Sequence, residues 1–132
     1  MELAQLFQPL SKIVNSLFIV DDDKITVFMA CKLIENYNSD IAISYSLNPA
    51  EALDLLLNNK IKPDLILLDI NMPDINGWQF LQKLESENYL TDVIMFSSTI
   101  DEDEIKKSKQ FKLVKGFVTK PLNFQKLKEI IG

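Results

Sequence analysis

Three aspartates, Asp21, Asp22 and Asp23, follow directly on the apolar run LFIV (17–20). Neighbouring carboxylates repel, and at an apolar strand tip at least one would be driven towards protonation. A divalent cation removes that penalty. A fourth carboxylate, Asp69, ends the apolar run LILL, Ser97 and Ser98 end another, and Lys120 stands at the tip of a further one, immediately before Pro121. Carboxylates, a hydroxyl and a lysine converging on one crevice describe a Mg2+ and phosphoryl site, because magnesium takes oxygen ligands and phosphoryl transfer needs positioning and charge neutralisation. Asp21 and Asp22 facing Asp69 are read as the metal cup. Asp23 is read as a cap for the helix that starts near Lys24.

Composition removes the competing chemistries. The 132 residues contain no histidine, so Ser–His and Cys–His dyads and His-ligated zinc are excluded. The three glycines, at 77, 116 and 132, cannot form a G-x-G-x-x-G or Walker loop. All 14 basic residues are lysines and the net charge is −5, which argues against direct nucleic-acid binding. The lone Cys31 suits a reducing compartment and reads as a small helix residue. No apolar run nears the roughly 18 residues that span a bilayer, and no basic segment opens a secretory signal. The expected location is the cytoplasm, away from the membrane.

Short β-rich runs alternating with helical patterns must position these groups. LFIV (17–20), DLILLD (64–69), DVIMFSS (92–98) and GFVTK (116–120) read as buried strands, with DLILLD central, and IAISYS (41–46) as a more exposed one. Helices follow at about 24–38, from Pro49 with Asn48 as cap, from Gly77, over 101–110, and after Pro121. Over 101–110, Glu102–Lys106 and Asp103–Lys107 have i,i+4 spacing. Five strands each followed by a helix predict an α/β fold, an open doubly wound parallel sheet with helices on both faces. Such sheets bind ligands outside the carboxyl ends of their strands, which is where Asp21–Asp23, Asp69, Ser97 and Lys120 fall.

On "VDDD", "LILLDINMPDINGWQF", "IMFSS" and "GFVTKPL", in that order and spacing, the chain resembles the receiver domain of two-component response regulators, of the chemotaxis-regulator-like stand-alone type. The resemblance implies a flavodoxin-like strand order 2-1-3-4-5, residues 1–15 as an N-terminal extension and residues 16–132 as the receiver domain. It implies Asp69 as phosphoacceptor, with Asp21, Asp22, Asp69 and the Asn71 backbone carbonyl holding Mg2+, or Mn2+ in its place. Ser97 would hydrogen-bond the phosphoryl group and Lys120 would pair with it. Phe117 takes the switch-aromatic position, with no tyrosine hydroxyl, and Ser97 is its switch partner. The Lys120–Pro121 bond is expected to be cis.

The same resemblance implies a phosphoryl donor, a histidine kinase or a phosphotransfer protein. Output would pass to a downstream protein or a second copy of the chain, through the face of the fourth helix, fifth strand and last helix. The chain is expected to be no enzyme beyond slow self-dephosphorylation. A Mg2+-dependent aspartyl-phosphate hydrolase would carry an acid two residues after its nucleophile, where this chain has Asn71. A receiver belonging to a larger regulator or hybrid kinase has the same sequence features as a stand-alone one. In the extension, Leu3, Leu6, Phe7 and Leu10 are expected to dock on the domain or a partner, with Pro9 interrupting or beginning any helix.

Overall fold

Every residue of DLILLD's strand is buried, and that strand lies at the middle of the structure. The computed structural model describes residues 4–99 and 101–132. Its elements run β1 (Ala4–Leu6), β2 (Ser16–Val20), α1 (Lys24–Tyr37), β3 (Ala42–Ser46), α2 (Pro49–Leu57), β4 (Leu65–Asp69), α3 (Gly77–Ser86), β5 (Asp92–Ser97), α4 (Glu102–Lys109), β6 (Val114–Thr119) and α5 (Phe124–Ile131). The sheet order is β1-β6-β5-β4-β2-β3. The five strands β3, β2, β4, β5 and β6 are mutually parallel, as expected.

Successive side chains of a strand point to opposite faces, so continuous apolar runs supply two cores at once. Leu17, Ile19, Leu65 and Leu67 face one side, packed with Val27 and Ile34 of α1 and Leu127 and Ile130 of α5. Phe18, Val20, Ile66 and Leu68 face the other, against Leu56 of α2 and Phe80 and Leu84 of α3. The edge strand β3 needs only half this cover and is largely exposed.

Local signals set most of the boundaries. Asn48 caps α2 by accepting the Glu51 amide at 3.1 Å, with Pro49 as the first helical residue. Asp23 caps α1, accepting from the Ile25 amide at 3.2 Å and the Thr26 hydroxyl at 2.6 Å. Asn76 and Gln79 form a reciprocal capping box on α3. Among the described residues, the Glu102–Lys106 and Asp103–Lys107 ion pairs do not form. Lys107 instead lies over the Trp78 ring and Lys109 over Phe7, each 5.0 Å from the centroid, where an aromatic face offers them a partner.

The expected five-stranded sheet gains a sixth strand from the N-terminal extension. β1 pairs antiparallel with the outer edge of β6, Ala4 opposite Val118, Gln5 opposite Phe117 and Leu6 opposite Gly116. The segment forms no helix around Pro9; extended backbone satisfies the amide and carbonyl groups that β6 leaves free at the sheet edge. Leu6 and Leu10 pack on the α1/α5 side and Phe7 on the other, while Leu3 lies outside the described residues. Beyond β1 the chain is pinned by carboxylates: Asp92 accepts the Ser11 amide and hydroxyl at 2.6 and 2.8 Å, and Asp64 accepts the Asn15 and Ser16 amides at 2.8 and 3.1 Å.

Candidate functional site

β2 and β4 are adjacent and parallel, so their carboxyl ends bring Asp21 and Asp69 side by side. One oxygen each from Asp21, Asp22 and Asp69 lies within 4.8 Å of the others. Asp21 is fully buried and Asp69 nearly so, whereas Asp22 is exposed at the lip. Asp21 Oδ1 is engaged by the Asp23 amide at 2.9 Å, which orients its other oxygen into the crevice.

Lys120 closes the arrangement. The Lys120–Pro121 bond is cis, and the Lys120 amide donates to the Ser97 carbonyl at 2.8 Å. Its Nζ lies 2.7 Å from Asp21 Oδ2 and 3.2 Å from Asp69 Oδ1. Asp21 Oδ2 has no well-aligned hydrogen bond despite the short distance. The contact is therefore an ion pair, whose attraction depends on separation far more than on angle. Burial works to lower the Lys120 pKa, but the Asp21 and Asp69 carboxylates overcome it and hold the ammonium above its ordinary value. Asp69 moves the opposite way from a normal ion-paired acid. Burial, and then the Asp21 carboxylate, push it up to about 6, with Lys120 offsetting part of the rise.

The donor set fits a hard divalent cation. It is all oxygen, two of its three carboxylates are buried together, and Asp21 Oδ2 lacks a properly aligned donor. Asn71 lies in the loop after β4, where its amide points at Asp69 Oδ1 at a long 3.4 Å. Ser97 is buried at the end of β5, its hydroxyl accepting the Thr99 amide at 3.3 Å. A narrow cleft lined by Met95, Ser97, Ile105 and Ser108 separates it from Phe117, which is 6% exposed. Asp21, Asp22, Asp69 and Lys120 thus form one cluster, with Ser97 at the end of β5, Asn71 in the loop after β4, and Phe117 on the cleft that Ser97 also lines.

Two supporting residues escaped the sequence reading. Gly77 starts α3 against the site: a Cβ there would stand 2.7 Å from the Asp69 carbonyl oxygen and 2.9 Å from Ile70 Cα. Lys126 is buried, and its Nζ donates to the carbonyls of Thr119 at 3.0 Å and Pro121 at 2.7 Å, the residues flanking Lys120. Burial lowers its pKa, with the Glu129 carboxylate working against that. A lysine in register with the buried Leu127 and Ile130 was the available signal, since a charge on an apolar helix face must find partners.

The family model for the response regulator receiver domain matches residues 17–132. The chain is 26% identical over 116 residues to a probable C4-dicarboxylate response regulator, DctR, of Priestia megaterium, covering 88% of this chain and 50% of that protein. It is 38% identical over 104 residues to a protein-glutamate methylesterase/protein-glutamine glutaminase of Archaeoglobus fulgidus, covering 78% of this chain and 29% of the other. The chain thus spans half or less of these curated relatives. Among solved structures, a two-component response regulator from Cytophaga hutchinsonii superposes with a TM-score of 0.78 at 26% identity, over 90% of this chain and 95% of that one. The Vibrio cholerae chemotaxis protein CheY4 shares the fold, with a TM-score of 0.73 at 21% identity over 88% of this chain and 94% of the other.

Proposed function

This chain belongs to the response regulator receiver domain family, whose general business is phosphorylation-based signalling, and from that membership we propose that Asp69 is its phosphoacceptor. The observation that carries the reading is Lys120 Nζ held 2.7 Å from Asp21 and 3.2 Å from Asp69, beside three carboxylates that share one cup. Asp69, with its pKa of about 6, is mostly ionised at neutral pH and available as a nucleophile. An Asp69 oxygen attacks phosphorus of a phosphohistidine on a kinase or phosphotransfer protein. The P–N bond breaks, its electron pair leaves with the imidazole nitrogen, and an acyl phosphate forms on Asp69.

Asp21, Asp22, Asp69 and the Asn71 carbonyl would hold Mg2+ or Mn2+. Such an ion, when bound, offsets the carboxylate charge that an incoming phosphoryl group meets and orders its oxygens. Lys120 exchanges part of its contact with Asp21 and Asp69 for a phosphoryl oxygen, and the Ser97 hydroxyl donates to another. Drawing Ser97 towards the site opens the cleft behind it for Phe117, a shift between two packings. Output leaves through the face of α4, β6 and α5 to a downstream protein or a second copy. Residues 16–132 constitute the receiver and residues 1–15 its extension, working in the cytoplasm.

The test is labelling by acetyl phosphate with and without Mg2+, read by intact mass. Wild-type protein should gain one phosphoryl group only with the metal, and the Asp69→Asn chain none. Labelling of Asp69→Asn at the wild-type level would show that another residue is the acceptor.

A further inference from the structure

The family match begins at residue 17, so β1 lies outside it, yet β1 is built into the sheet beside the site's own strand. Its seat is shaped for backbone. A Cβ at Gly116 would stand 2.2 Å from the Gln5 carbonyl oxygen and 2.9 Å from Leu6 Cα, so the strands approach as closely as glycine permits. The β6 register slips by one residue against β5 at this point, Val93 pairing with Val114 and Ile94 with Gly116. The carbonyl of the intervening Lys115 receives the Phe7 amide at 2.7 Å and the Gln8 amide at 3.3 Å. Beyond the backbone, Phe7 packs on Phe117 with ring centroids 5.7 Å apart, and Lys109 of α4 lies over the same Phe7 ring at 5.0 Å.

We propose that the outer edge of β6 is a strand-binding surface, filled by the chain's own residues 4–8 while the acidic site is empty and opened when that site is phosphorylated. The inference rests on the reading of Asp69, Ser97 and Phe117 given above. Phe117 has Phe7 on its outer side and the cleft with Met95, Ser97 and Ile105 on its inner side. Movement of Phe117 into that cleft takes the ring away from Phe7. Among the described residues β1 runs for three, Ala4–Leu6, and a short edge strand belongs to the low-stability end of a fold, where one lost ring contact changes its occupancy. The partner that fits the vacated edge is an extended segment that keeps the small and aliphatic residues of Ala4 and Leu6 and does not depend on an aromatic ring at the Phe7 position. Main-chain bonds would supply its affinity and the close backbone seat at Gly116 its selectivity.

Amide exchange of the full chain, with and without Mg2+ and beryllofluoride, tests this, with site filling read separately by fluorine NMR of the bound beryllofluoride. Filling should speed exchange of the Phe7 amide about tenfold, a middling coupling between two sites, and leave Phe18 in β2 unchanged. Bound beryllofluoride with Phe7 exchange unaltered overturns the linkage and spares the reading of the site; no bound beryllofluoride overturns both. Linkage is reciprocal, so Gly116→Val, which pushes β1 off its seat, should bind beryllofluoride more tightly by the same factor, and equal or weaker binding refutes the coupling. A peptide copying residues 2–10 with Phe7→Leu should bind the filled protein more tightly than the empty one, because filling weakens the competing β1, which relies on the Phe7–Phe117 contact, and not the peptide. A filled protein that ignores the peptide even in large excess shows that the edge is no strand-binding surface.

Discussion

Asp69→Asn should make the metal-free protein more stable at neutral pH, although it destroys the proposed acceptor. Asp69 is buried beside Asp21, and its pKa rises from 3.8 to about 6. A raised carboxyl pKa means that the folded state binds the proton more tightly than the unfolded chain does. The cost of ionising Asp69 is therefore absent below the unfolded value, grows between about pH 4 and 6, and is fully present above that range. Some two pKa units at 1.36 kcal/mol each set a ceiling of about 3 kcal/mol, equivalent to about 10 °C in Tm for a chain of this length. Asparagine keeps the shape and never carries the charge. Urea unfolding in EDTA at pH 7.5 and at pH 4 should show the variant ahead at the higher pH, the gap closing at the lower. Mg2+ should narrow the gap at pH 7.5 by stabilising the wild-type chain. A variant no more stable than wild type at pH 7.5 in EDTA would refute the argument that this carboxylate is held at a cost.

Gly77→Ala should cost about 1–3 kcal/mol in urea unfolding and slow phosphoryl uptake, because the new methyl meets backbone at the tip of β4. Lys126→Met removes both donors from the carbonyls flanking Lys120 and should cost about 1–3 kcal/mol by the same assay, with the Lys120 Nζ resonance losing its contact with Asp21. Asp64→Ala should destabilise by about 1–2 kcal/mol, since Asp64 accepts two backbone amides and pairs with Lys12 at 3.6 Å. Burial works to raise the Asp64 pKa, but the Asn15 and Ser16 amides outweigh it and the net shift is downward. Its stabilisation is thus present above about pH 4 and lost as pH falls through the folded-state value; Asp64→Ala and wild type should converge in acid unfolding curves.

Most of the site was legible because its parts sit at the ends of strongly patterned elements. Asp21, Asp22, Asp69, Ser97 and Lys120 each follow an apolar run, and parallel strands must end on one side of the sheet. Asp23 and Asn48 were recognisable as caps, since a cap bonds to amides two or three residues away. The i,i+4 pairs of α4 were misjudged for a related reason. The spacing allowed them, but Trp78, from a distant part of the chain, offered Lys107 another partner.

What the amino-acid order determined by itself was everything carried by short-range pattern: the buried strands, the helix starts, and a row of carboxylates with no apolar explanation. The tertiary structure alone decided that Lys120 sits nearer Asp21 than Asp69, that Lys126 turns inward to the strand end, and that residues 4–6 become a strand. AQL is too short to show a period, and its partner lies more than a hundred residues away. Its conformation follows from the free edge of β6 and the space left by Gly116, neither of which exists until the sheet has formed.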